Sequence, residues 1–312
     1  MQIFTKLTSL NQKFSGISIA LGTFDGIHTG HQKIISRAVE LARQINGTSM
    51  VLTFSNHPLS VVAPQHCPQQ LVTQEYKAEL IQNLGVDVLL NLPFTPQFLQ
   101  LSATEFIHLT LGNLSPKHIV VGPNYFFGYK RSGTAELLQE AGNKYGFNVE
   151  IHPTVYVDDV IVSSTLIRQL IAAGKVDQAA HLLGRPLALK GTVIHGDKRG
   201  RQLGYPTINL KIPNHLILPT DGVYGVVVTI HNIQYKGVAN IGNNPTFNGI
   251  HRRLEVHLLD FDDNLYGQIV TVSFLKKIRG QITFSNAEQL KVQIFEDVRT
   301  AKQYFSSIDD AN

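Results

Sequence analysis

The chain of 312 residues has a single cysteine, Cys67. That scarcity excludes a disulfide framework and any metal site built on thiolates, and it points to a reducing cytosol. Charge is equally sparse, with a formal net charge of +4 and a pI near 9.0. A balance so mild suits anionic small molecules and does not argue for nucleic acid. The densest basic cluster, Lys198, Arg199 and Arg201, has no aromatic neighbours on which bases could stack. The opening MQIFTKLTSLNQKF lacks the continuous apolar core of a signal peptide, and no later run approaches a membrane span. A soluble protein without a membrane or nucleic-acid partner is expected. Internal repeats and low-complexity tracts are missing. His57, His66, His152 and His181 show no zinc spacing, and Asp260, Asp262 and Asp263 lack the long calcium-loop pattern, so turn chemistry suffices for them.

What the chain does have is apolar content, 43% of its residues, enough for sizeable cores, and a length that favours two domains. In the first half, strand-like and helix-like segments alternate. Ile17 to Leu21, Ser49 to Phe54, Val86 to Leu92, His118 to Gly122 and Phe147 to Ile151 read as buried strands. Glu75 to Leu84, Ala103 to Leu111 and Ala135 to Tyr145 have helical spacing. This is a doubly wound α/β pattern, which places ligands beyond the carboxyl ends of the strands.

The most informative stretch lies at the first such end. In ISIALGTFDGIHTGHQ a strand gives way to Gly22 and Gly26, and Gly30 opens the helical series Ile34, Ile35, Ala38, Leu41, Ala42. His28 and His31 therefore sit at a helix N-terminus, where unpaired amides and the positive end of the helix dipole favour phosphate and two imidazoles add donors. Histidines that merely cap the helix fit the same spacing. Phe54-Ser55-Asn56-His57-Pro58 and Val121-Gly122-Pro123-Asn124-Tyr125-Phe126-Phe127-Gly128 follow later strands; Asn124 and the aromatic run could bracket a planar ligand or pack beside a glycine turn. Val162-Ser163-Ser164-Thr165 precedes a helix from Leu166 to Ala173, so its hydroxyls can cap that helix, and Arg168 one turn in can reach the same anion. Asp158 and Asp159 are adjacent and read as a solvated turn.

After Gly184 to Leu187 the pattern changes. Ala188 to Ile194, Val223 to Ile230, Tyr235 to Asn240, Leu254 to Leu259 and Ile269 to Phe274 are short strands between Gly, Asn and Pro turns, and one long helical pattern runs from Asn286 to about Tyr304. That predicts a small closed β-barrel with one packed helix, giving domains of 1–184 and 185–312. The run from Gly191 through His195, Gly196, Asp197, Gly200 and Gly204 is a loop whose backbone can approach phosphates. Thr207 and Asn209 follow two residues apart on one strand face, where a hydroxyl and an amide could share a magnesium ion and the phosphates it bridges.

Both halves resemble known nucleotide-using families. GTFDGIHTGH resembles the HxGH signature of nucleotidyltransferases, and Ser-Ser-Thr with Arg168 resembles the SSTxIR element of flavin adenylyltransferases. Tyr205 to Asn209 resembles the PTxN motif of riboflavin kinases, and that likeness continues through Gly222 to Gly225, Gly237 to Gly242, Pro245-Thr246-Phe247 and Leu254 to Phe261. In order and extent the whole chain resembles the prokaryotic bifunctional riboflavin kinase and FMN adenylyltransferase family. The resemblance implies that riboflavin and ATP give FMN in the barrel, and that FMN and ATP give FAD and pyrophosphate in the α/β domain, both with Mg2+. It implies His28 and His31 as catalytic donors, with Gly22, Phe24, Asp25, Gly30, Ser164, Thr165 and Arg168 at ATP and His57 and Asn124 at the flavin. In the barrel it implies Glu255 as the base for the riboflavin 5′-hydroxyl and Gly191, Gly196, Gly200, Gly204, Thr207 and Asn209 at ATP. Thr207 and Asn209 would hold the metal, and Tyr224, Arg279, Phe284 and Asp297 would lie near the flavin, as would Gln293 and Ile294. One departure stands out: Ser55 and Asn56 replace the acid and proline that the family shows before His57. A kinase with a degenerate first domain, or a flavin carrier that consumes no ATP, are the competing readings.

Overall fold

The computed structural model describes residues 1–10, 14–196, 199–246 and 249–310. Asp197, Lys198 and Phe247, which belong to the motifs above, lie outside the described residues. The chain forms two compact units, Met1–Ser164 and Thr165–Asn312.

The first unit is built on strands β1 (Gln2–Phe4), β2 (Ser18–Leu21), β3 (Ser49–Phe54), β4 (Val88–Leu92), β5 (His118–Val121) and β6 (Asn148–Ile151). They pair in parallel in the order β1-β4-β3-β2-β5-β6. Parallel strands covered on both faces read as nearly continuous apolar runs. Ile19, Leu21, Met50, Leu52 and Val121 enter one core with Phe106, Leu111 and Leu138, while Ala20, Val51, Leu89 and Val120 enter the other with Ile35, Ala38 and Ile81. Helices α1 (Thr29–Gln44), α2 (Gln74–Asn83) and α3 (Ala135–Tyr145) supply these layers. Thr73 and Thr134 cap α2 and α3 through their hydroxyls, and α3 stops at Gly146, whose φ of 79° a residue with a Cβ would resist. Two features differ from the sequence expectation. The segment predicted as a helix over Ala103 to Leu111 is one short α-helical turn, Ala103–Glu105, followed by a π-helix, Phe106–Gly112. Strand β1 was not anticipated.

Helix α4 (Ser164–Ala172) starts at the last residue of the first unit and runs into the second, where it and α5 (Val176–Leu183) precede strands β7 (Leu187–Ile194), β8 (Ile208–Lys211), β9 (Gly222–Ile230), β10 (Ile233–Thr246), β11 (Gly249–Leu258) and β12 (Ile269–Arg279). These close into an antiparallel barrel in the order β7-β8-β11-β10-β9-β12. Val193, Leu210, Val226, Val228, Leu254, Val256, Val272 and Phe274 are buried on alternate positions of their strands, as barrel interiors require. The terminal helix α6 (Ala287–Asp309), capped by Asn286, lays Ala301 and Phe305 on Leu259, Val238 and Leu275. The division between the units falls upstream of the change in pattern at Gly184 to Leu187: within the second unit α5 packs on β12, and Asp177 pairs with Lys276 at 2.7 Å.

Candidate active sites

At the carboxyl end of β2 the chain makes a turn that ordinary residues resist. Phe24 and Ile27 have φ of 48° and 41°, flanking Gly26 at 85°. A β-branched residue at positive φ is a genuine outlier, held here because Phe24 and Ile27 are each only 1% exposed. The turn delivers His28 to the N-cap of α1, where its Nδ1 accepts the His31 amide at 3.2 Å. With Nδ1 committed as acceptor, neutral His28 carries its proton on Nε2. The two imidazoles stack with centroids 3.5 Å apart and planes at 18°, and Phe24 meets His31 edge-on. Gly22 is required for this packing, since a Cβ there would fall 2.8 Å from the Phe24 ring.

The histidines line a cavity of about 810 Å³ together with Gly22, Phe24, Gly30, His57, Asn124, Ser163 and Ser164. Among the described residues, no Asp or Glu lines it. One wall is aromatic: Phe54 meets Phe94 and Phe98 edge-on at 5.0 and 5.3 Å, Phe94 and Phe98 lie tilted at 5.5 Å, and Phe106 and Phe127 continue the wall. Burial pushes the Tyr125 phenol up, so it stays protonated beside Phe127.

Asp25 is placed differently from the ATP-contact role that the family resemblance implies. Its carboxylate accepts the Leu71 amide at 3.1 and 3.3 Å, and its carbonyl accepts the Ser164 hydroxyl at 2.9 Å, so it ties loops together behind the cavity. Thr165 and Arg168 fall in the second unit, on α4. The departure at Asn56 has a structural counterpart: its side chain donates to the Phe94 carbonyl at 3.0 Å and accepts the Phe94 amide at 2.8 Å. Two opposed hydrogen bonds fix the loop where a proline would have stiffened it. His57, next in the chain, accepts the Leu59 amide through Nδ1 and keeps its ring on the cavity.

Behind this loop Lys77 is 3% exposed and donates to the Phe54 carbonyl at 2.7 Å. Burial lowers its pKa to about 8, and the nearby Asp25 charge offsets only part of that shift. The unfolded lysine therefore holds its proton to higher pH than the folded one. Between about 8 and 10.5 the folded chain binds fewer protons, and stability should rise with pH by up to about 1.4 kcal/mol per unit. Lys77→Met should abolish that rise, as urea unfolding at both ends of the window would show; a variant with the parent's slope would place the titration elsewhere.

The barrel carries a second arrangement on its outer face. Leu254 and Val256 point inward, so Glu255 points outward, half-buried, and its register partners on the neighbouring strands are Asn209 and Asn240. Asn209 is 7% exposed, yet its Oδ1 is buried without a hydrogen-bond partner among the described residues. Thr207 precedes it on the same face. The glycine loop closes tightly over both. A Cβ on Gly196 would fall 2.1 Å from the Asn209 amide nitrogen, one on Gly200 would fall 2.4 Å from the Tyr205 carbonyl, and one on Gly191 would fall 2.6 Å from Ile212. Gly204 has φ of 87° and open space around it. Gly196→Ala should therefore displace the Asn209 amide and lower any reaction on this face at least about tenfold. Chemistry in the first unit should be unchanged, and equal rates on both sides would remove the loop from the site.

These two arrangements match two families in sequence. The model for FAD synthetase matches residues 10–166, and that for riboflavin kinase matches residues 183–305. A bifunctional riboflavin kinase/FMN adenylyltransferase of Haemophilus influenzae is 38% identical over 309 residues, covering 98% of this chain and all of the relative. The chain belongs to this bifunctional family. A Pseudomonas fluorescens relative of the same name is 40% identical, covering 97% of each chain. A crystal structure from Streptococcus pneumoniae matches with a TM-score of 0.88 at 35% identity, covering 96% of this chain and 98% of that one. That structure is named a macrolide-efflux protein; among the described residues here, no helix is long and apolar enough to cross a membrane.

Of the residues that the resemblance places near flavin in the barrel unit, four come together. Arg279 forms a two-pronged ion pair with Asp297 at 2.8 and 2.7 Å, Gln293 donates to the same carboxylate at 3.0 Å, and the Arg279 guanidinium lies 5.9 Å from the Phe284 ring centre. Tyr224 is elsewhere. It is fully buried inside the barrel against Phe274, its hydroxyl donates to the Thr220 carbonyl at 2.6 Å, and burial pushes its phenol up to about 12. Its parity with Val226 and Val228 already places it inward. Phe94, Phe98, Phe106, Lys130 and Arg131 line the first cavity without standing out in the sequence, because they come from separate segments with no shared period.

Proposed function

We propose that the cavity of the first unit is where FMN is adenylylated and that the outer face around Glu255 is where riboflavin is phosphorylated. The contrast in carboxylates carries this assignment. A phosphomonoester already presents an anionic oxygen, so attack on the α-phosphorus of ATP needs donors and no base, and the cavity offers histidines with no acid among its described lining residues. A primary hydroxyl must lose a proton as it attacks, and the barrel face supplies Glu255 beside Asn209. In the cavity the His28 Nε2–H and His31 would follow charge onto the transferring phosphate oxygens while pyrophosphate leaves, with the flavin ring against Phe54, Phe98 and Phe127.

On the barrel face the orphaned Asn209 Oδ1 and the Thr207 hydroxyl, under the closed glycine cradle, would hold a small hard cation. Magnesium, when bound there, would neutralise charge on the transferred phosphoryl group. Glu255 would orient the 5′-hydroxyl and take its proton, while Gly196 and Gly200 let the backbone approach the nucleotide. Arg279, Phe284 and Asp297 would frame the flavin ring. A lone, half-buried cysteine fits work in a reducing cytoplasm.

Incubating the full chain with riboflavin, ATP and magnesium and separating the flavins tests the reading. FMN followed by FAD is expected. Accumulation of FMN alone, with supplied FMN also inert, would leave a kinase; unconsumed ATP would leave a carrier.

A further inference from the structure

Two exposed cations line the first cavity, Lys130 and Arg131, and neither side chain makes a hydrogen bond or ion pair with the described residues. Both sit at left-handed φ, 52° and 60°, after Gly128 at 73°. The turn is pinned. Tyr129 N–H donates to the Leu101 carbonyl at 2.6 Å, Arg131 N–H donates to the Gly128 carbonyl at 3.0 Å, and a Cβ on Gly128 would strike the Ala103 backbone at 2.7 Å. Consecutive non-glycine residues in this conformation persist only where the surroundings force them, and such strain gathers at ligand sites. The Arg131 guanidinium lies 4.0 Å from the centre of the Phe126 ring. A guanidinium stacked on a ring has its planar N–H edge directed sideways, the geometry that grips a phosphate with two hydrogen bonds.

We propose that Lys130 and Arg131 bind the 5′-phosphate of the flavin, making the first unit selective for the phosphorylated flavin over riboflavin. This rests on the adenylylation reading of the same cavity. The turn is continuous with Tyr125, Phe126 and Phe127 of the aromatic wall, whereas the nucleotide's phosphates have their own donors at the α1 end. A dianion entering a cavity without carboxylates meets attraction from these two residues, and a neutral ribityl chain gains nothing from them.

The test is steady-state FAD formation from FMN and ATP by the full chain, its Lys130→Gln and Arg131→Gln variants and the conservative Arg131→Lys. Lumiflavin, which has no ribityl chain to phosphorylate, serves as inhibitor. Arg131→Gln should raise the KM for FMN about 10- to 100-fold, the range for one lost charge-assisted phosphate contact, with Lys partly restoring it. The KM for ATP and the lumiflavin inhibition constant should stay within a few-fold, and the salt dependence of the FMN KM should flatten. An unchanged KM for FMN overturns the proposal. So does a parallel rise in the lumiflavin constant, which would make Arg131 a packing residue, or a rise in the ATP KM alone, which would give the cations to the nucleotide. A parent chain that makes no FAD from FMN would sink the adenylylation reading and this proposal together; active variants that match the parent sink this proposal alone.

Discussion

Replacing His28 with Asn should lower FAD formation from FMN by about 10²- to 10³-fold, the range for one preorganised donor, while riboflavin phosphorylation continues at the parent rate. The choice of Asn follows from the cap. His28 Nδ1 accepts the His31 amide, and an Asn Oδ1 can take the same bond, so α1 keeps its start. What disappears is the Nε2–H, the group available to follow charge in the transition state. Alanine would confound the result by also removing the cap, at about 1 kcal/mol. Single-turnover rates for each reaction, with thermal melting as a control on folding, decide the matter. Parent-like FAD formation would reduce His28 to a capping residue. Equal loss of both activities in a folded variant would break the assignment of one reaction to each unit.

Glu255→Gln should depress riboflavin phosphorylation by about 10²- to 10⁴-fold, the usual worth of a positioned base, with riboflavin and ATP affinities changed only a few-fold. Gln retains the size and the strand register opposite Asn209, and it cannot receive the hydroxyl proton. Supplied FMN should still become FAD. Single-turnover FMN formation at saturating substrates is the measurement, and a Gln variant as fast as the parent would leave Glu255 as an outward-facing polar residue of β11.

Much of this was legible in the chain. Glycine spacing and the apolar period put His28 and His31 at a helix start, and α1 begins at Thr29 between them. Strand parity puts Glu255 outside and, through Val226 and Val228, puts Tyr224 inside, against the place the family motif implies for it. Other elements left little trace. Phe106–Gly112 shows ordinary helical spacing because a single wide turn shifts the apolar period too little to register. The aromatic wall joins β3 to residues from three later segments, and no local pattern announces a contact made only by folding. Asn56 looked like a loss against the family pattern; its value lies in two hydrogen bonds to Phe94 that no sequence window contains.

Strand β1 has a consequence for handling the protein. It spans only Gln2–Phe4, and its parallel pairing with Val88, Leu89 and Leu90 covers one rim of the open sheet. Beneath it β4 reads VLLNL, with four of its five residues buried. A short rim strand is a poor template for a second chain, whereas a bare VLLNL strand is a good one. Trimming the first residues, or pulling on them through a fused tag, would uncover that strand and invite edge-to-edge association of copies, with clumping in storage long before either reaction slows.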